Sequence, residues 1–444
     1  MNFLWGVATS GHQIDGDNRD CDWWAWEQAG NIESGEVSGK ATDHWNRWDQ
    51  DLQNAASLGL NAYRFSVEWS RIEPQEGQWN QQALDWYIAL IEKCEKLGLL
   101  PMVTLHHFTL PRWLSDKGGL THPHFPDRFG GFVRKVAHAF GSRVPLWCTV
   151  NEPMLLAIGA YLGGVMPPAE SDPRALAAAH RGLLKAHVLA YDTLHKHAAR
   201  REGPWKDRPL EVGFAHNMVD FHALRAWHPA ELWMVRIFRR YYNRAWLDAV
   251  TGRRQHFGIR GLLPTPRQVW QARGRRTVDF IGVNYYMKAY PCWGPQKKEG
   301  AQFLQFRNLP VGIRFQREGD NVSDLGWPIH PEGLGRMLRF ASKYKLPIYV
   351  TENGIADAQD ALRARFVQDH VQQVANAREH GADVRGYFHW SLLDNFEWVK
   401  GFGPRFGLWE VDYQTFERKA RPSAQIYAQL VQQGLPGMRA NLSP

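Results

Sequence analysis

The sequence predicts an α/β fold, a single (β/α)8 (TIM) barrel over residues 1–444, on three observations. Short apolar runs alternate with segments of helical periodicity along the whole chain. These runs are apolar throughout, as expected of parallel strands buried on both faces. No Gly-x-Gly-x-x-Gly turn follows the first run, which disfavours the open, doubly wound sheet that the same alternation permits. Successive β/α units of this kind close into a barrel, and such barrels can exceed about 400 residues when loops are inserted.

Taken in order, residues 3–8 are the first strand. A Trp-rich polar loop then leads to Asp43, a plausible helix N-cap, after which Trp45, Trp48, Leu52, Ala55 and Ala56 share a helical face until Gly59. Strand 61–67 precedes a helix from Asn80 carrying Leu84, Tyr87, Ile88 and Ile91 on one face and ending at Gly98. Strand 99–105 is followed by helix 129–140, and strand 146–150 by the long Ala-rich helix 173–198. The remaining strands are 210–215, 278–283, 348–350 and 384–389, with helices at 331–344 and 360–380. Residues 288–326 lack periodicity and read as a long loop over one end of the barrel.

Composition narrows the function classes. The formal charge is +8, but the basic residues are dispersed, so nucleic acid is not expected as a partner. No run approaches the ~18 apolar residues of a membrane span, and residues 1–10 lack the basic start and apolar core of a signal peptide. The sequons at Asn321 and Asn441 then read as chance matches. Cys21, Cys94, Cys148 and Cys292 form neither a Cys-x-x-Cys pair nor a dense disulfide framework, which suits reduced thiols in a cytoplasm. The 21 Trp are unusual, and flat apolar rings suit both a core and a sugar-binding site. A homo-oligomer is left open.

In a barrel of this type the chemistry sits where strands end and loops to helices begin. Glu152, in Asn151-Glu152-Pro153, and Glu352, in Thr351-Glu352-Asn353-Gly354, both fall there. So do His106-His107, Asn284-Tyr285-Tyr286 and Trp390-Ser391. A lone strand-end Glu often caps a helix or pairs with a cation. Two facing carboxyl groups also meet the demand of glycosidic cleavage, one protonating the departing oxygen and one attacking the anomeric carbon. His-Glu-x-x-His, Walker-type and Gly-x-Ser-x-Gly motifs are absent. Adjacent His106 and His107 diverge on a strand, so neither a metal nor any other cofactor is expected.

The chain resembles glycoside hydrolase family 1, the β-glucosidase and β-galactosidase family, from residue 3 to Tyr427. The matching blocks include Gln13-Ile14-Asp15-Gly16, Tyr63-Arg64-Phe65-Ser66, Thr149-Val150-Asn151-Glu152-Pro153, Gly282-Val283-Asn284-Tyr285-Tyr286, Gly326-Trp327, Thr351-Glu352-Asn353-Gly354 and the segment from Tyr387 through Trp390 to Glu397 and Trp398. Their joint order is the specific signal. The resemblance implies a retaining, exo-acting β-glycosidase with Glu352 as nucleophile and Glu152 as acid/base, their carboxyl groups about 5 to 5.5 Å apart. It places Arg64 and Tyr286 beside the nucleophile. Gln13, His107, Asn151, Glu397 and Trp398 would hold sugar hydroxyls, Asn284 would support that network, and Trp390 would floor the ring. Trp327 would flank the leaving group, and Phe406 would be wall more than contact. It further implies a cis peptide between Trp390 and Ser391.

Departures from the family pattern carry information too. Phe108 stands where many relatives have Trp, which reshapes one wall. Glu397 stands where phospho-sugar relatives have a small residue, so a neutral sugar is expected. Glu152 stands where thioglucosidase variants have Gln. A sugar-binding protein without turnover, or predominantly a transglycosylase, is the alternative reading.

Overall fold

The computed structural model describes residues 2–253, 274–293, 303–305 and 311–436. Eight strands close into a parallel barrel: β1 (Leu4–Ala8), β2 (Ala62–Ser66), β3 (Leu100–Thr104), β4 (Leu146–Asn151), β5 (Glu211–Asn217), β6 (Phe280–Asn284), β7 (Ile348–Asn353) and β8 (Val384–Trp390). Closure is made by β1 on β8, with Leu4 opposite Gly386 and Ala8 opposite Trp390. Every expected strand is present. The barrel interior is filled by Leu4, Ala62, Leu100, Met102, Leu146, Phe280, Tyr349 and Phe388, all buried. A second and larger apolar layer lies between the strands and the surrounding helices.

The expected helices are also found, at His44–Ser57, Gln81–Lys96, Phe125–Phe140, Pro173–His197, Pro331–Ala341 and Arg363–Glu379. Their ends follow local chemistry. Asn80 accepts a hydrogen bond from the Ala83 N–H, as an N-cap should. Asp43 does stand at the N-cap of its helix, but in a left-handed conformation (φ 56°), and its carboxylate takes Asn46 and Arg47 instead of a helix amide.

Two regions differ from expectation. Residues 288–326 are not simply a loop: Lys288–Trp293, Phe303–Gln305 and Val311–Arg314 form an antiparallel sheet joined by Asp220–Phe221. Pro291 inside the first of these strands, and the shortness of the others, hid them, because Pro argues against a strand on sequence grounds. The described part of the β5–β6 connection holds further helices, Pro229–Phe238 and Ala245–Val250, joined by a π-helical turn, Arg239–Arg244. No described helix is long and apolar enough to cross a membrane. The four cysteines are buried and unpaired. The sequon at Asn441 lies outside the described residues.

Candidate active site

The C-terminal rim of the barrel gathers the polar strand-end residues into one network. At the end of β7 the register against β6 shifts between Val350 and Glu352, and at the end of β4 the register against β5 shifts between Cys148 and Asn151. Such irregularities re-aim a strand-end side chain. Glu152 leaves β4 at φ 46°, a left-handed conformation rare for a residue with a Cβ, held by its N–H on the Ala215 carbonyl at 2.7 Å. Gly354, just after Glu352, has a different constraint: a Cβ there would lie 1.7 Å from the Trp390 carbonyl oxygen. The chain can pass that point only without a side chain.

The two glutamates, both buried, are held by different groups. Glu352 Oε1 accepts from Arg64 Nη1 at 2.5 Å, and its Oε2 accepts from the Tyr286 hydroxyl at 2.7 Å. Arg64 is locked in turn by Asn151 Oδ1 at 2.8 Å, Thr104 Oγ1 at 3.2 Å and the Thr351 carbonyl at 3.1 Å. Glu152 has no ion pair with a cation among the described residues. Its Oε1 accepts from Asn284 Nδ2 at 2.8 Å and Asn217 Nδ2 at 3.2 Å. Burial, and after it the negative charge of Glu352, push the Glu152 carboxyl up to about 8. Burial is the largest single influence on Arg64 and opposes its charge, but Glu352, Cys148 and Tyr286 together outweigh it and the guanidinium is raised above its usual range.

A second cluster lies beside this one. Gln13 Nε2 donates to Asn395 Oδ1 at 2.9 Å, to the Phe396 carbonyl at 3.0 Å and to Glu397 Oε2 at 3.4 Å. Glu397 is half-buried, and its carboxyl is raised by burial first and by Glu352 second. His107 Nε2 accepts from Asn151 Nδ2 at 3.1 Å, and the ring stacks on both Trp390 and Trp398, with ring centroids 6.1 Å away in each case. Burial, Arg64 and His106 together hold the His107 imidazole neutral, well below its ordinary range. His106, two residues beyond the end of β3, turns away from this cluster to pack on Phe129. Gln13 Oε1 and His107 Nδ1 are buried polar atoms without a partner among the described residues. Such atoms call for a ligand or water.

Every candidate residue drawn from the sequence lies in this region. Trp327 and Phe406 meet Tyr286 and each other, with centroids 5.8 to 6.2 Å apart, and Phe406 is buried without a polar role. Phe108 packs edge-on against Trp398 and His107 at 5.1 Å, so it fills its wall. The Trp390–Ser391 peptide is cis. Asn217 was not anticipated, although it ends β5 as Asn284 ends β6, and the strand-end rule that selects one would have selected the other.

The model of glycosyl hydrolase family 1 matches residues 1–435. The chain belongs to that family. Among curated proteins it is 32% identical to β-glucosidase A of Thermotoga maritima, over 97% of this chain and 96% of the relative, and 31% identical to a β-galactosidase of Pyrococcus woesei with the same coverage. Among solved structures, a β-glycosidase of Pyrococcus horikoshii is 38% identical with a TM-score of 0.82, covering 97% of this chain and 94% of that one. A family 1 β-glucosidase of Thermotoga maritima is 30% identical with a TM-score of 0.87, covering 97% of each chain. This family 1 chain is an O-glycosyl hydrolase, a retaining β-glycosidase, and not a binding protein that lacks turnover.

Proposed function

We propose that this family 1 enzyme removes non-phosphorylated gluco- or galacto-configured sugars from the non-reducing end of β-glycosides, with Glu352 as nucleophile and Glu152 as acid/base. The observation that carries the reading is the asymmetry of the pair: Glu352 is bound by a buried guanidinium and a phenol, whereas Glu152 is bound, among the described residues, by neutral amides alone and has a carboxyl raised to about 8. A carboxylate paired with a fixed cation suits attack, and a carboxyl that keeps its proton near neutrality suits assistance to a leaving group.

In the first half-reaction a Glu352 oxygen bonds to the anomeric carbon as the glycosidic C–O bond breaks, and the proton of Glu152 passes to the departing oxygen. Esterification removes the negative charge of Glu352 and with it part of what raises Glu152, so the acid becomes the base needed next. Water then attacks the anomeric carbon, gives its proton to Glu152 and releases Glu352. Gln13 Oε1 and His107 Nδ1 are open to sugar hydroxyls, Glu397, Trp398 and Asn151 would complete that set, with Asn151 at the hydroxyl beside the anomeric carbon, and Trp390 would offer its face to the ring. Glu397 fills the place where phospho-sugar relatives have a small residue, and its carboxyl, raised by burial and by Glu352, leaves neither room nor a cation for a phosphate, which favours a neutral sugar. We also infer that residues 1–444 act as one barrel domain in the cytoplasm, a setting that suits four unpaired cysteines.

Glu352→Gly assayed with azide tests the assignment. Turnover of an aryl β-glycoside should be lost and then restored by azide as the inverted α-glycosyl azide. Wild-type turnover without azide would contradict it.

A further inference from the structure

Among the described residues Glu152 accepts side-chain hydrogen bonds on Oε1 alone, and the role inferred for its amide partners rests on its assignment as the acid. Asn217 and Asn284 are register partners at the ends of β5 and β6, so neighbouring strands deliver two amide groups side by side to Oε1. The Asn217 amide is itself oriented: the Tyr242 hydroxyl donates to its Oδ1 at 2.9 Å, turning Nδ2 towards Glu152. Tyr242 belongs to the π-helical turn Arg239–Arg244, an element often found at functional sites. Its neighbour Asn243 accepts from the Val219 N–H at 3.2 Å and donates to the Val219 carbonyl at 2.8 Å. The turn therefore grips the chain just beyond β5 while presenting the phenol to Asn217. Burial first, and the charge of Glu152 second, hold the Tyr242 hydroxyl well above its ordinary range, so it remains a donor.

We propose that Asn217, locked by Tyr242, is a positioning residue that keeps the proton of Glu152 on Oε2, the oxygen left open to substrate. An oxygen that accepts two N–H bonds is the carbonyl side of a carboxylic acid, which leaves the O–H on the other. Rotating the Asn217 amide by half a turn would bring Oδ1 against Glu152. It would then accept the acid's proton and draw it away from the departing oxygen. After the proton has been given up, the same two N–H groups stabilise the carboxylate that activates water. The lock thus serves both half-reactions.

The test uses Asn217→Ala and Tyr242→Phe in the full chain, assayed on aryl β-glycosides of graded leaving-group pKa. General-acid assistance spans roughly 10²- to 10⁴-fold, and loss of its alignment should forfeit part of that range. Poor leaving groups should therefore slow on the order of 10-fold more than dinitrophenolate, less so in Tyr242→Phe. The alkaline limb of kcat/KM should move to higher pH, since the lost N–H bond favoured the ionised form. In a Glu152→Gln background neither change should add leaving-group dependence. Equal slowing across the series with an unmoved limb overturns the proposal, and Tyr242→Phe, which removes one oxygen, carries the test if Asn217→Ala does not fold. Should Glu152→Gln itself show no leaving-group dependence, the acid assignment fails; should it show one that these variants lack, only the present inference fails.

Discussion

The ends of β7 and β4 carry the same side chain in opposite settings. Around Glu352 the barrel interior supplies a guanidinium that is itself held by three neighbours, and a phenol. Around Glu152 it supplies two amides and, among the described residues, no cation in hydrogen-bond contact. Both carboxyl groups are buried, so burial alone cannot distinguish them. The partners do, and they turn one residue type into two reagents. The contrast also shows why the two roles depend on one another: the negative charge that Arg64 stabilises on Glu352 is one of the causes that keep Glu152 protonated.

The largest expected break in this comparison comes from Glu352→Gln. It should reduce turnover on the order of 10⁵-fold for every leaving group, as loss of a nucleophile does. Next, Glu152→Gln should slow poor leaving groups by roughly 10³-fold and activated ones far less, measured as kcat/KM over an aryl series. Uniform slowing would give both glutamates the same role. In the wild type, kcat/KM should fall as pH rises through about 8, because the acid must be protonated and its carboxyl is raised to that value. The Glu152→Gln variant should lose that limb.

Stability sharpens the same contrast. Glu352→Gln leaves the buried Arg64 guanidinium without its counter-charge and should cost about 3 kcal/mol, read by denaturant unfolding at neutral pH. Glu152→Gln should cost less or stabilise. The sign comes from linkage: a carboxyl raised in the folded state binds its proton more tightly there than in the unfolded chain. Stability is therefore lost as pH rises from the ordinary carboxylate range towards about 8, and Gln removes that loss. The smallest effect is assigned to Tyr286→Phe, which removes one of two donors from Glu352. About a 10-fold loss in kcat is expected, at unchanged fold.

Much of this was legible in the chain because parallel barrel strands are buried on both faces and read as plain apolar runs. The strand-end rule then brought Glu152, Glu352, Asn284 and His107 to one rim before any coordinates. The sequence resemblance, and not periodicity, proposed which glutamate attacks. What escaped has physical reasons. Pro291 disguised a real strand, and exposed Trp233 and Leu232 blurred the apolar face of Pro229–Phe238. The π-helical turn that aims Tyr242 has no periodic signature of its own. Asp43 stood where a cap was expected, yet its left-handed backbone turned the carboxylate to side chains. Asn217 lies two residues beyond the expected end of its strand, the same offset as Glu152 and Glu352 on theirs, so its position was legible and only its chemistry, a neutral amide in no matching block, left it unweighed.

The central claim is that Glu352 becomes covalently bound to the sugar while Glu152 does not. It is tested most directly by incubating the enzyme with a 2-deoxy-2-fluoro-β-glycoside bearing an activated leaving group, digesting it and locating the added mass. A label on the peptide containing Thr351-Glu352-Asn353, discharged when a glycosyl acceptor is added, is the predicted result. A label on Glu152, or on any residue outside that peptide, would contradict the account.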